Sequence, residues 1–74
     1  MKSYYQKLKE LRKEINASQA DVAEKCGMSQ KKLSRLENGK IKLKLSDLKA
    51  LCLYYKVSSN YILGLPEDLN YPEK

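Results

Sequence analysis

The 74-residue sequence contains no histidine, no tryptophan and no phenylalanine. Without an imidazole, and with no serine or cysteine set beside an evident base, it lacks the constellation that acid–base or nucleophilic catalysis needs. The same shortage leaves no ligand set for a metal, and no cofactor motif or small-molecule site is evident. The expectation is a non-enzyme. The two cysteines, Cys26 and Cys52, form no C-x-x-C pair. Both fall at apolar helical positions, where cysteine acts as a small hydrophobe. With neither a signal peptide nor a disulfide framework to read, the expected compartment is a reducing cytoplasm. No apolar run approaches ~18 residues, so no segment is expected to span a membrane.

Acidic residues are also scarce, nine against 15 Lys and Arg, for a net charge of +6. The excess is uneven. Residues 1–44 carry 12 basic and five acidic side chains, a balance of +7, and residues 45–74 carry three and four, a balance of −1. A basic half on a small domain suggests a polyanionic partner, nucleic acid before an anionic membrane surface. Charge alone fits a merely solvated face as well. The length allows one domain with one small core, whose stability is modest or shared with a partner.

The pattern is helical throughout. Ser3 and Gln6 have capping-box spacing. Tyr4, Leu8, Leu11 and Ile15 then form one face of an amphipathic helix over about 4–15, with Lys7, Lys9 and Lys13 opposite and Asn16 at its end. Ser18 caps a second helix with Asp21 in its first turn and Val22, Ala23 and Cys26 inside; Gly27 ends it, and Met28 tucks beneath the turn. Ser29 caps a third helix, about 30–38. Leu33 and Leu36 face inward, Gln30, Lys31, Lys32, Ser34 and Arg35 face outward, and Asn38-Gly39 stops it. Residues 40–45 alternate like a strand but have no partner strand, so an extended loop is expected. Leu45, Leu48, Leu51, Cys52 and Tyr55 mark a fourth helix at about 46–55; Ser58 caps a fifth through Leu63, closed by Gly64. Residues 1–64 form the domain, and a polar tail, 65–74, follows.

This arrangement resembles the helix-turn-helix family of phage repressors and Cro proteins, also called xenobiotic-response-element-like. The matching residues are Leu11-Arg12, Ser18-Gln19, Val22-Ala23, Gly27, Ser29, Leu33, Leu36-Glu37-Asn38-Gly39, Leu45, Leu48, Val57-Ser58 and Ile62-Leu63-Gly64. They cover about residues 4–64. Gln19, Ala23, Gly27, Leu33 and Leu36 occupy the motif's diagnostic positions together, which a chance spacing rarely does. Asn16 and Lys56 depart from the family by standing where it usually has glycine, and Leu43-Lys44 replace its common Pro-Ser pair.

The resemblance implies an all-α, five-helix, lambda-repressor-like DNA-binding domain. It also implies a transcriptional regulator, a repressor by expectation, in the cytoplasm at the nucleoid and dimeric on a double-stranded operator. The third helix would dock in the major groove. Ser29, Gln30, Lys31 and Arg35 are the expected base contacts, since Gln can pair with adenine and Lys or Arg with guanine. Ser18, Gln19, Lys32, Ser34, Asn38, Lys40 and Lys42 are the expected phosphate contacts, with Lys44 adding to the field. Gln19, at the start of the second helix, would meet phosphate with the help of the helix dipole, and Asn38 and Lys40 partly through backbone amides. In the resembling family the positions of Arg12 and Glu37 form an ion pair behind the recognition helix. Tyr4, Tyr5, Tyr54, Tyr55, Tyr61 and Tyr71 read as core or core-rim residues, although Tyr61 and the residues around Ile62 and Leu65 are alternatively a face for a second subunit. The same fold also serves protein-interaction modules such as antitoxins and adaptors.

Overall fold

Serine opens four helices of this chain. Ser3, Ser18, Ser29 and Ser58 stand in extended backbone, and each hydroxyl oxygen accepts the N–H three residues on, from Gln6, Asp21, Lys32 and Tyr61. Ser3 and Gln6 complete a reciprocal box, with the Ser3 N–H donating to Gln6 Oε1 at 3.1 Å. These bonds satisfy donors that a first turn otherwise leaves without partners. The helices they open, with one more that lacks a side-chain cap, are α1 (Tyr4–Glu14), α2 (Gln19–Lys25), α3 (Gln30–Glu37), α4 (Leu45–Tyr55) and α5 (Ser59–Leu63). The computed structural model describes residues 3–65. Of the expected tail only Leu65 is described; residues 66–74, Tyr71 among them, lie outside the described residues.

The helix ends are equally uniform. Each is followed by a left-handed residue: Asn16, Gly27, Gly39, Lys56 and Gly64. The next N–H then reaches back five residues: Ala17 to Arg12, Met28 to Ala23, Lys40 to Arg35, Val57 to Cys52 and Leu65 to Asn60. This closure satisfies the last carbonyls and turns the chain sharply. All three glycines of the sequence stand at such positions. Gly39 is required twice over: its φ is +69°, and a Cβ there would lie 2.8 Å from the Tyr5 ring.

The apolar stripes meet as the periodicity predicts. Leu8, Val22, Ala23, Leu33, Leu51 and Ile62 are buried in one cluster with Leu11 and Leu48. Leu36 is fully buried too. A fully buried aliphatic side chain contributes about 1.5–3 kcal/mol, so this short list supplies most of the driving force. Met28, Cys26, Cys52, Tyr4, Tyr54 and Tyr55 pack on it half-buried, and both cysteines are free thiols. Burial pushes both thiols' pKa up. Residues 42–44 are an extended loop, and no strand occurs among the described residues. Among the same residues no helix is long and apolar enough to cross a membrane.

Two apolar residues depart from the expected pattern. Ile15 is 52% exposed because α1 stops at Glu14 and the chain leaves the helical face there. Leu45 is 81% exposed because α4 begins one residue early, so that Leu45 opens the helix a turn above Leu48, beyond the core's edge. Ile62 is wholly buried, while Tyr61, Leu63 and Leu65 around it stay exposed.

Candidate nucleic-acid interface

α3 has two sharply different sides. Leu33, Leu36 and Glu37 are buried; Gln30, Lys31 and Arg35 are exposed. At 3.6 residues per turn, Lys31 and Arg35 share one face, opposite the buried stripe. α2 holds α3 through the turn at Gly27, where the Gly27 N–H bonds Glu24 O and the Met28 N–H bonds Ala23 O.

The anchor behind α3 is Glu37, whose side chain is fully buried. Its Oε2 accepts from Arg12 Nε at 2.9 Å, and its Oε1 accepts from Arg12 Nη2 at 3.0 Å. Gln19 Nε2 donates to the same Oε1 at 3.1 Å, and Arg12 Nη1 continues to Ala17 O. One carboxylate therefore joins α1, α2 and α3. The hydrogen bond from Arg12 raises the guanidinium's pKa, against the opposing effect of burial. Tyr55, on α4, lies close enough to feel this pair. Burial first, then Glu37, pushes its phenol far above the ordinary range, and its Oη is buried without a hydrogen-bond partner.

Several of the expected phosphate ligands make bonds within the protein. The Gln19 amide nitrogen gives one N–H to Glu37, which orients the side chain and leaves its second N–H for a phosphate at the start of α2. Lys32 stands beside the buried stripe, four residues from Leu36, and its Nζ lies 3.0 Å from Oδ1 of buried Asp47 on α4. Asn38 is satisfied at both ends of its amide: Nδ2 donates to Ser34 O, and Oδ1 accepts from Lys9 Nζ. The backbone amides of Asn38, Gly39 and Lys40 all donate to α3 carbonyls, so the expected amide contacts of Asn38 and Lys40 are taken by the helix end. Ser34 is half-buried beside Asn38, while Lys40, Lys42 and Lys44 are exposed. Ser18 and Ser29 accept cap bonds and keep a hydroxyl proton to donate.

The bonds of Gln19, Lys32, Lys9 and Asn38 depend on how helices align, which periodicity does not report. Asp47 did carry a signal. It stands four residues before Leu51 on the inward stripe of α4, and an acid at such a position calls for a cation.

Comparison with known proteins follows the same geometry. A family model described as a helix-turn-helix domain matches residues 6–60. A search of curated proteins gives no significant match. Among solved structures, the chain is similar to the P22 c2 repressor protein in complex with synthetic operator 9T, with a TM-score of 0.81 and 22% identity over 85% of this chain and 96% of that one. It is similar to the restriction-modification controller protein C.AhdI from Aeromonas hydrophila, at TM-score 0.77 and 22% identity over 81% and 91% of the two chains. The N-terminal DNA binding domain of SinR from Bacillus subtilis matches at TM-score 0.74 and 27% identity over 80% and 87%. The fold is thus all-α and lambda-repressor-like.

Proposed function

This chain belongs to the helix-turn-helix domain family, and on that premise we propose that it is a sequence-specific regulator of transcription, of repressor type, that binds double-stranded operator DNA. The observation that carries this reading is α3. Its inner side is locked into the core through Glu37, and its outer side offers Gln30, Lys31 and Arg35 together to solvent. A helix of that width fits the major groove, where glutamine and cationic side chains read base edges. Ser29, at the cap of α3, stands beside them. Ser18, Gln19 with the backbone at the start of α2, Ser34, and the exposed Lys40 and Lys42 then supply the phosphate contacts that set register. The relative solved with an operator supports the reading.

Selection of bound sequences from random duplex DNA tests it. The expected result is a two-fold site whose half-sites lie about one helical turn apart, ~34 Å. With roughly five phosphates met per subunit, log K against log salt should fall with a slope of about −4 to −5 per subunit. No enriched sequence together with a flat salt response would sink the proposal.

A second reading has one observation in its favour. Leu45, Leu48, Cys52 and Leu53 of α4, with Lys49 and Ser59, line an open apolar groove of about 410 Å³. Such a face suits a protein-interaction module, an antitoxin or adaptor. Stoichiometric copurification of a partner, with no retardation of DNA at low salt, would favour it.

A further inference from the structure

The ion pair between Lys32 and Asp47 is the feature of the candidate interface that the proposed function leaves unused. Lys32 lies in the first turn of α3, among residues offered to DNA, yet its ammonium is turned toward α4 and held 3.0 Å from Asp47 Oδ1. The Asp47 side chain is 9% exposed, and its other oxygen, Oδ2, is buried without a hydrogen-bond partner. Among the described residues the carboxylate thus depends on Lys32 alone for a paired oxygen. If Lys32 swung out to a phosphate, a buried carboxylate would be left with neither oxygen paired, a far worse state than a solvated lysine without a phosphate. Lys31 and Arg35 carry no comparable restraint; no ion pair holds either one among the described residues.

We infer that Asp47 is a specificity-determining residue that acts by withholding Lys32 from DNA, and that Lys32 is a positioning residue joining α3 to α4. The inference rests on the DNA-binding reading above. A lysine that reaches phosphate adds affinity for every sequence alike. Holding one back lowers sequence-blind binding while leaving Gln30, Lys31 and Arg35 to discriminate. The pair also fixes the angle at which α3 leaves the core on the side away from Glu37, so the helix is held along both edges.

The near-isosteric Asp47→Asn change removes the charge that holds Lys32. Its expected effect is tighter binding to random duplex and a smaller ratio of specific to random affinity. One added phosphate contact steepens the salt slope by about 0.9 per subunit, roughly a threefold larger loss of affinity over a fourfold rise in salt. Lys32→Met should leave the wild-type slope unchanged. A slope made shallower by about 0.9 in Lys32→Met would overturn the inference, because Lys32 would then be a phosphate ligand. An unaltered slope and ratio in Asp47→Asn would overturn it equally. A double-mutant cycle of the two changes in urea unfolding reads the pair with no DNA present: coupling is expected, and its absence refutes the brace. Failure of the unaltered protein to retard any duplex would refute the DNA-binding reading and the specificity role with it, while the unfolding cycle would still report on the brace.

Discussion

Glu37 concentrates the polar chemistry of the interior at one residue. It is fully buried, and its partners come from two other helices. Removing Arg12 leaves that charge without its main partner in a dry site. Arg12→Ala should therefore destabilise the fold by about 3–5 kcal/mol, far more than an exposed pair would. Urea unfolding measures this, and a loss under ~1 kcal/mol would show that the pair is solvated in practice. Tyr55 gives a pH prediction from the same region. Its folded-state phenol is raised above the ordinary value of 10. Below pH 10 both states hold the proton and pH has no effect through this group. Above it the unfolded chain releases its proton while the folded chain keeps it, so stability falls as pH rises. Tyr55→Phe should remove that part of the alkaline loss. It also removes a buried hydroxyl without a partner, so at neutral pH the change should be neutral or stabilising. Identical alkaline profiles for the two proteins would refute the burial of the phenol. Neither the bond from Gln19 to Glu37 nor the stranded hydroxyl of Tyr55 was legible beforehand, because each depends on how two helices meet rather than on spacing within one.

At the scale of the element, the ends of the helices were the most legible feature, since each is written in two or three neighbouring residues. Serines opened four helices, and glycines closed three. The exceptions are informative. α4 is preceded by Lys44, which makes no side-chain cap, and followed by Lys56, held at φ +58°. A lysine pays for that conformation in backbone strain that glycine avoids. Lys56→Gly should stabilise by about 1 kcal/mol, and Lys44→Ser by about 0.5–1 through a new cap. In a domain of this size each kcal/mol raises Tm by about 4–8 °C, so thermal unfolding reads both changes. The two sites lie at opposite ends of α4 and their effects should add. A fall in Tm for Lys56→Gly would mean that the lysine side chain makes a contact worth more than the strain. The same α4 shows where periodicity misled. Leu45 continues the apolar spacing but opens the helix a turn above Leu48, outside the core.

Along the sequence, charge and exposed apolar residues divide at the same place. The +7 half contains α1, α2 and α3, and the half with −1 contains α4 and α5 with most of the exposed apolar surface. Composition made the first part of that division visible from the start. The second part needed the fold, because Ile62 turned inward while its neighbours Tyr61 and Leu63, and Leu65 beyond them, stayed outside. Lys7 reinforces this end, donating to Tyr61 O with its ammonium 5.4 Å from the ring centre. Exposed apolar residues set apart from α3 are what a two-fold dimer needs to present two copies of α3 to one face of DNA. If Tyr61, Leu63 and Leu65 form that contact, Leu63→Asp should yield a monomer in sedimentation without unfolding it, since Leu63 is 46% exposed and fills no core space. Binding to a full two-fold site should then weaken at least tenfold, because the second subunit no longer binds at the high local concentration set by the first. Affinity for an isolated half-site should not change. Unchanged dimerisation would move the interface to the α4 groove, where Leu53→Asp is the matching test. Equal losses on full and half sites would instead mean that Leu63→Asp had disturbed α3, and far-ultraviolet circular dichroism would show it.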